Sequence, residues 1–189
     1  MALTEGFLAF IDTETTGLSP ADEIIELACI LTDLKLQEVG RWHGKFKPGR
    51  AVHPEAAAIN GYDVATWERE AVPFGQFIAW CKPPRIPFGH AAVPVGHNVI
   101  FDQPRIEAAF KATGAFCPIS RRGIDTMSLA LTLRLAGVLQ CENVKLPTVA
   151  AALGVCKPTH RAMDDAETVR AIVGRTVERL GPQVLAARA

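Results

Sequence analysis

Residues 7–17 read FLAFIDTETTG, an apolar segment that runs directly into acidic residues and a glycine. Phe7–Ile11 is an unbroken apolar run, which predicts a central β-strand covered on both faces. Side chains two apart on a strand point to the same face, so Asp12 and Glu14 are placed side by side at the end of this strand. Two carboxylates in that position suit a cation, although many such pairs only begin a polar turn.

The last predicted helix carries a second acidic position. Residues 161–180 have apolar side chains at helical spacing and end at Gly181. The predicted apolar stripe consists of Ala162, Ala166, Val169, Ile172, Val173, Thr176 and Leu180. Asp165 falls on the flank of that stripe, whereas Asp164 and Glu167 are expected to point to solvent. A carboxylate that faces the core is unfavourable unless it is compensated, so Asp165 is predicted to bind a metal ion. A hydrogen bond to a buried backbone donor is the alternative.

Two further residues complete a candidate acid–base set. Asp102 follows GHNVIF, and its alternative role is to cap a helix that is predicted to start near Pro104. His160 precedes Asp165 by about 140° of a continuous helix, so we expect it on the preceding loop. From there a neutral imidazole could accept a proton from an attacking water. The alternative is an ordinary surface histidine.

The rest of the pattern predicts one α/β domain over residues 1–189. Further strands are expected at residues 24–32, 41–47, 92–95 and 124–126. Helices are expected at 54–59, at 74–81 and at 146–153. Another helix is expected to start near residue 104, and a further one to follow the strand at 124–126 and run to about residue 138. Strands come first and helices are interleaved later, which favours a mixed central sheet flanked by helices.

Charge is distributed unevenly along the chain, although 20 Lys plus Arg balance 20 Asp plus Glu. Residues 1–40 hold one Lys and eight acidic residues, a net charge of −7, and residues 41–189 carry the balancing +7. Two bound divalent cations would bring the chain to about +4, which favours a polyanionic partner. The alternating basic residues of 41–47 either follow a phosphate backbone or form the solvent face of a strand.

Several classes of protein are not expected from the composition. No apolar run approaches the ~20 residues of a membrane span, and the first residues lack a signal-peptide pattern. The five cysteines form no CxxC pair, so reduced thiols in the cytoplasm are expected.

Five segments, taken in order, resemble the DEDDh group of 3′→5′ exonucleases. They are FIDTETTGL, HPEAAAINGY, GHNVIFD, LPTVAAALGV and THRAMDDAETV, and they cover about residues 7–175. This group includes the proofreading subunit of bacterial replicative polymerase and ribonuclease T. The resemblance implies a ribonuclease H-like fold. His160 marks the subgroup that carries histidine where the sister subgroup carries tyrosine.

The resemblance also implies a role for each site residue. The metal ligands it implies for two ions are Asp12, Glu14, Asp102 and Asp165. Asp12 would bridge the two ions, and Asp102 would act on them partly through water. His160 would be the general base. Thr15 would contact the terminal nucleotide, and Leu18 would wedge against its base.

The expected activity is two-metal hydrolysis of phosphodiester bonds from a 3′ end, with release of 5′-mononucleotides. Oxygen ligands without thiolate favour Mg²⁺, and Mn²⁺ is expected to substitute. A single-stranded 3′ end is favoured because the terminal base must be splayed against apolar side chains. DNA is the expected substrate and RNA trimming the alternative, because no residue reports on the 2′-hydroxyl.

Other assignments stay open at this point. A non-catalytic nucleic-acid-binding domain and a phosphatase of small esters are the alternatives from other classes. A DNA polymerase as partner and a homodimer as assembly are both compatible with the resemblance, and the sequence decides neither.

Overall fold

The strand that carries Asp12 and Glu14 lies at the centre of a mixed sheet. The computed structural model describes residues 6–181. The strands found there are β1 (Phe7–Thr15), β2 (Ile24–Asp33), β3 (Glu38–Lys45), β4 (Ala92–Gly96) and β5 (Ile124–Asp125). Their order in the sheet is β3-β2-β1-β4-β5. β1 is antiparallel to β2 and parallel to β4, which confirms the predicted mixed sheet.

Helices flank the sheet, and most of them were predicted from the sequence. In residues 6–181 they are α1 (Pro54–Asn60), α2 (Val64–Glu70), α3 (Gly75–Cys81), α4 (Val99–Ala112), α5 (Thr126–Leu135), α6 (Leu146–Leu153) and α7 (Ala162–Leu180). The unpredicted helix is α2, which begins where the Asp63 side chain accepts the backbone N–H of Thr66. None of these helices is both long and apolar enough to cross a membrane.

The prediction that α4 starts near Pro104 is wrong, because this helix begins at Val99. The chain turns at Asn98, which adopts a left-handed φ of 73°. The Asn98 N–H donates to Asp125 Oδ1 at 2.8 Å, and this long-range bond directs the chain from β4 straight into α4. Asp102 therefore lies within the first turn of α4, and the alternative that it caps the helix is also wrong.

Side chains of β1 alternate between two layers of helices. Leu8 and Phe10 pack in a core cluster with residues of α7, whereas Ala9 and Ile11 pack in a cluster with residues of α3 and α4. The same alternation places Asp12 and Glu14 on the α7 side and Thr13 on the α4 side. Every member of the predicted α7 stripe is buried except Leu180, which ends the helix and is 43% exposed.

Candidate acidic active site

Asp12 and Glu14 lie half-buried near the end of β1, on the face covered by α7. In the pairing with β2, Asp12 is opposite Ala28 and Glu14 is opposite Glu26. The register shifts between Glu14 and Thr15, where regular pairing ends.

Asp165 lies in the first turn of α7, with only 6% of its surface exposed. Its Oδ1 accepts the backbone N–H of Thr159 at 2.9 Å. The prediction that Asp165 faces inward is confirmed. Asp164 is partly exposed, and its carboxylate accepts the hydroxyl of Thr159 at the surface, which agrees with the expectation that it points away from the core. Glu167 is exposed, as expected.

Asp102 reaches the site from the opposite side of the sheet. Its side chain is 4% exposed, and Oδ1 accepts both the N–H of Thr13 at 3.0 Å and the Thr13 hydroxyl at 2.6 Å. Burial raises the pKa of Asp102 to about 7, although the Thr13 hydrogen bonds and the charge of Arg105 lower it. This carboxylate is therefore fixed in direction by β1 itself.

Carboxylates of β1, α4 and α7 lie close enough to influence one another. Burial is the main cause that raises the pKa of Asp12 well above its ordinary value, and the charges of Asp102, Glu14 and Asp165 follow in that order. Burial, followed by the charge of Glu26, raises the pKa of Glu14 to about 8. Burial also raises the pKa of Asp165. The charges of Asp102, Glu14 and Asp165 are thus all felt at Asp12.

The donor set of this site fits a divalent cation by charge and chemistry. Negative charges close to one another in a partly buried site are unfavourable, and a cation relieves that repulsion. The converging groups offer only carboxylate oxygens, which suit Mg²⁺ or Mn²⁺. Among residues 6–181, no three His, Cys, Asp or Glu side chains already stand as a complete ligand group. Asp102 and Asp165 are instead held toward the protein donors Thr13 and Thr159.

His160 lies on the loop before α7, as the helix geometry predicted. It is exposed and adopts a left-handed φ of 59°, an uncommon conformation for a residue with a Cβ atom. Its charge and its backbone N–H lower the pKa of Asp165, so it lies at the edge of the acidic centre.

The sequence analysis missed a fifth carboxylate, Glu26. Its side chain is 4% exposed, and His43 Nε2 on β3 lies 2.6 Å from Glu26 Oε1. Glu26 also contributes to the raised pKa values of both Asp12 and Glu14. A single acid in the apolar strand IIELACIL was the available signal, but the cross-strand register that sets it against Glu14 is a property of the sheet.

The basic face of β3 is occupied by intramolecular ion pairs. Arg41 pairs with Glu38 and Glu167, each at 2.7 Å. Lys45 pairs with Glu70 at 2.6 Å. These pairs support the interpretation of this stripe as the solvent face of a strand rather than a surface that follows a phosphate backbone.

A cavity of about 430 Å³ opens beside the acidic centre. Its lining includes the two predicted substrate contacts, Thr15 and Leu18, and also Phe101, which the sequence analysis did not select. Leu18 is 85% exposed, whereas Thr15 is buried and its hydroxyl donates to Gly17 O at 2.6 Å. Gly17 must lack a side chain, because a Cβ there would lie 2.5 Å from a ring carbon of His53.

A mixed five-stranded sheet with flanking helices, and with acidic residues near the end of its central strand, is the architecture of ribonuclease H-like domains. A family model described as exonuclease matches residues 9–79. This match supports the resemblance to the DEDDh exonucleases that the sequence motifs predicted.

The relatives differ greatly in length. DNA polymerase III PolC-type of Thermotoga petrophila is 30% identical over 175 residues, which are 90% of this chain but 12% of that protein. Protein NEN2 of Arabidopsis thaliana is 30% identical over 165 residues, 84% of this chain and 32% of that protein. Ribonuclease T of Actinobacillus pleuropneumoniae is 28% identical over 194 residues, with 93% of this chain and 85% of that protein covered. The chain therefore spans a third or less of the first two relatives.

Solved structures support the fold. Exonuclease I of E. coli in complex with a 5cy-dT13 oligonucleotide superposes with a TM-score of 0.77 at 18% identity, covering 97% of this chain and 42% of that chain. Apo exonuclease I gives a TM-score of 0.76 at 19% identity, covering 97% and 44%. At this identity the likeness concerns the fold, and it confirms the predicted ribonuclease H-like architecture.

Proposed function

We propose that this chain removes 5′-mononucleotides from the 3′ ends of nucleic acids by metal-dependent phosphodiester hydrolysis. One observation carries the proposal: acidic side chains of β1, α4 and α7 are buried or half-buried around the end of β1, where Asp102 is bonded to Thr13 of that strand and Asp165 is only 6% exposed. A metal-dependent nuclease needs such a concentration of oxygen ligands beside the scissile phosphate. The proposal treats residues 1–189 as one exonuclease domain, with the family resemblance over about 7–175.

The acidic residues would hold the cofactor. The side chains that would hold two divalent cations are Asp12, Glu14, Asp102 and Asp165. Mg²⁺ is the proposed ion and Mn²⁺ its substitute. The bound cations supply Lewis-acid stabilisation of the charge that develops on the phosphate. Thr13 and Thr159 keep the Asp102 and Asp165 carboxylates in fixed directions.

His160 is the proposed general base. In this role an imidazole nitrogen accepts the proton of the water that attacks phosphorus. Its exposed position next to Asp165, on a loop rather than a helix, leaves the ring able to reach a water above the acidic centre. A histidine suits this step because its ordinary pKa lies near neutral pH.

The neighbouring cavity is the proposed site of the terminal nucleotide. Thr15 would contact the nucleotide, and the exposed Leu18 would pack against its base. An unpaired end enters such a cavity more readily than a duplex end, because no base pair has to be opened. We therefore propose a single-stranded 3′ end as substrate.

DNA is the proposed substrate, and the similarity to DNA polymerase III PolC-type proteins supports this choice. RNA trimming is the second candidate, because the match to ribonuclease T spans 85% of that protein. A polymerase partner, a homodimer and a cytoplasmic location remain predictions from the sequence.

Paired degradation assays test the proposal. Matched DNA and RNA oligomers, single-stranded and double-stranded, are incubated with Mg²⁺ or Mn²⁺ and the products are separated by size. We expect stepwise shortening from the 3′ end and release of 5′-mononucleotides, fastest for single-stranded DNA. EDTA should stop the reaction. Shortening that starts from the 5′ end, or equal activity in EDTA, would refute the proposed mechanism. Faster loss of RNA would favour the second candidate.

A further inference from the structure

Arg105 connects two segments that border the nucleotide cavity. It lies on α4, one turn after Phe101, and the Phe101 carbonyl accepts its Nη1 at 2.7 Å. Its Nη2 donates to the carbonyls of Leu18 and Ser19, at 3.1 Å and 2.8 Å. These two residues belong to the loop between β1 and β2. One guanidinium therefore fastens that loop to the first turn of α4.

The same guanidinium supports the Phe101 ring. The Arg105 Cζ atom lies 3.7 Å from the centroid of the ring, in a cation–π arrangement. Phe101 and Leu18 both line the cavity, and they reach it from the two segments that Arg105 joins. With one apolar side chain on each segment, Arg105 is the connection that bears most directly on the spacing between them.

We propose that Arg105 is a positioning residue that holds Leu18 and Phe101 at a fixed separation, so that together they form a slot for the base of the 3′-terminal nucleotide. This inference rests on the proposed function and adds a determinant of substrate affinity that lies outside the acidic centre. The planar guanidinium can reach three carbonyls of two segments while its face lies against a ring, and a lysine ammonium cannot do both.

Arg105 also influences the acidic centre, which the test must separate from the slot. Its positive charge lowers the pKa of Asp102 against the larger effect of burial. A substitution could therefore weaken metal binding as well as base binding. Ligands with and without a base, compared on the same variant, distinguish the two effects, because only the slot depends on the base.

The experiment measures binding of dTMP and of 2-deoxyribose 5-phosphate by calorimetry in the presence of Mn²⁺. We expect the wild-type protein to bind dTMP about tenfold more tightly, from stacking of one base on apolar side chains. Arg105→Met should reduce that preference to about twofold or less, and its affinity for 2-deoxyribose 5-phosphate should stay close to that of the wild type. Arg175→Met, which breaks an exposed ion pair with Glu178 on α7, is the matched control and should keep the preference.

Two further variants make the result decisive. Arg105→Lys keeps the positive charge but loses the planar guanidinium that reaches three carbonyls, so its base preference should resemble that of Arg105→Met. A full wild-type preference in Arg105→Lys would overturn the role given to the guanidinium. Leu18→Ala removes an exposed side chain and should lose the base preference without affecting folding. The double variant Arg105→Met/Leu18→Ala should lose no more than either single variant, because both act on one slot.

The outcomes separate this proposal from the proposed function. Equal losses of dTMP and 2-deoxyribose 5-phosphate affinity in Arg105→Met, or an unchanged preference in Leu18→Ala, would overturn the slot. A wild-type protein that prefers dTMP and loses this preference in Arg105→Met, yet cuts no oligonucleotide, would overturn the proposed hydrolysis and support the role of Arg105. A wild-type protein that cuts oligonucleotides but shows no preference for dTMP would support the proposed hydrolysis and overturn the role of Arg105.

Discussion

Replacing Glu14 by Gln should stabilise the protein in metal-free buffer at alkaline pH. The pKa of Glu14 rises from 4.5 to about 8 on folding, because of burial and then the charge of Glu26. Between these two values the native state keeps a proton that the unfolded state releases, so stability falls as pH increases through this window. The shift bounds the destabilisation at about 5 kcal/mol. Glu14 is half-buried, so solvent screening reduces the expected gain for Glu14→Gln to about 2 kcal/mol.

Urea unfolding in EDTA, followed by circular dichroism, measures this effect. The gain should be greatest near about pH 9 and close to zero near about pH 4.5. Glu68→Gln, at an exposed position on α2, is the control and should change little. Addition of Mn²⁺ should reverse the order of stability, because Glu14→Gln removes a proposed ligand and the wild type then gains more from the ion. Equal stability of wild type and Glu14→Gln near about pH 9, or a gain that increases toward acid, would refute the electrostatic reasoning.

Four further predictions concern the site. Asp165→Ala should abolish oligonucleotide hydrolysis, whereas Asp164→Ala should keep most of it; equal rates would contradict the assignment based on helix faces. His160→Ala should lower kcat by about 10²–10⁴-fold and leave the Mn²⁺-induced rise in melting temperature unchanged, whereas an unaltered pH–rate profile would remove it as general base. Glu26→Gln should weaken Mn²⁺ binding by about threefold to tenfold in calorimetry, since it removes one nearby negative charge; unchanged affinity would place that charge outside the centre. Gly17→Ala should cost about 1–3 kcal/mol in urea unfolding, because its Cβ has no space; no loss would show that the loop adapts.

Sequence patterns predicted the elements that depend on local periodicity. The apolar run of β1 and the alternation after it placed Asp12 and Glu14 on one face, and the stripe of α7 placed Asp165 at the core. The predicted end of the helix at residue 153 is confirmed, and the next residue, Gly154, has a φ of 68°, a conformation that glycine adopts without strain. These features follow from spacing along the chain, so they can be read without knowing which segments are neighbours.

The start of α4 and the role of Asp102 were decided by contacts between distant residues. The Asn98 N–H is bonded to Asp125 just before α4, and the helix starts earlier than Pro104 suggested. Asp102 consequently lies in the first turn, where it accepts two hydrogen bonds from Thr13. The local sequence could not predict either contact, because the two residues of each pair lie far apart along the chain.

The amino-acid sequence by itself determined the candidate residues for the chemistry: two acids at a strand end, one acid on an inward helix face, and a histidine on a loop. Only the tertiary structure revealed Glu26 opposite Glu14 and Arg105 between two segments of the cavity wall. The physical reason is that cross-strand register and side-chain reach between segments are set by packing of the whole sheet against its helices. The periodicity of the sequence indicates which face of an element a residue occupies, and the packing of the folded chain determines which residues it contacts there.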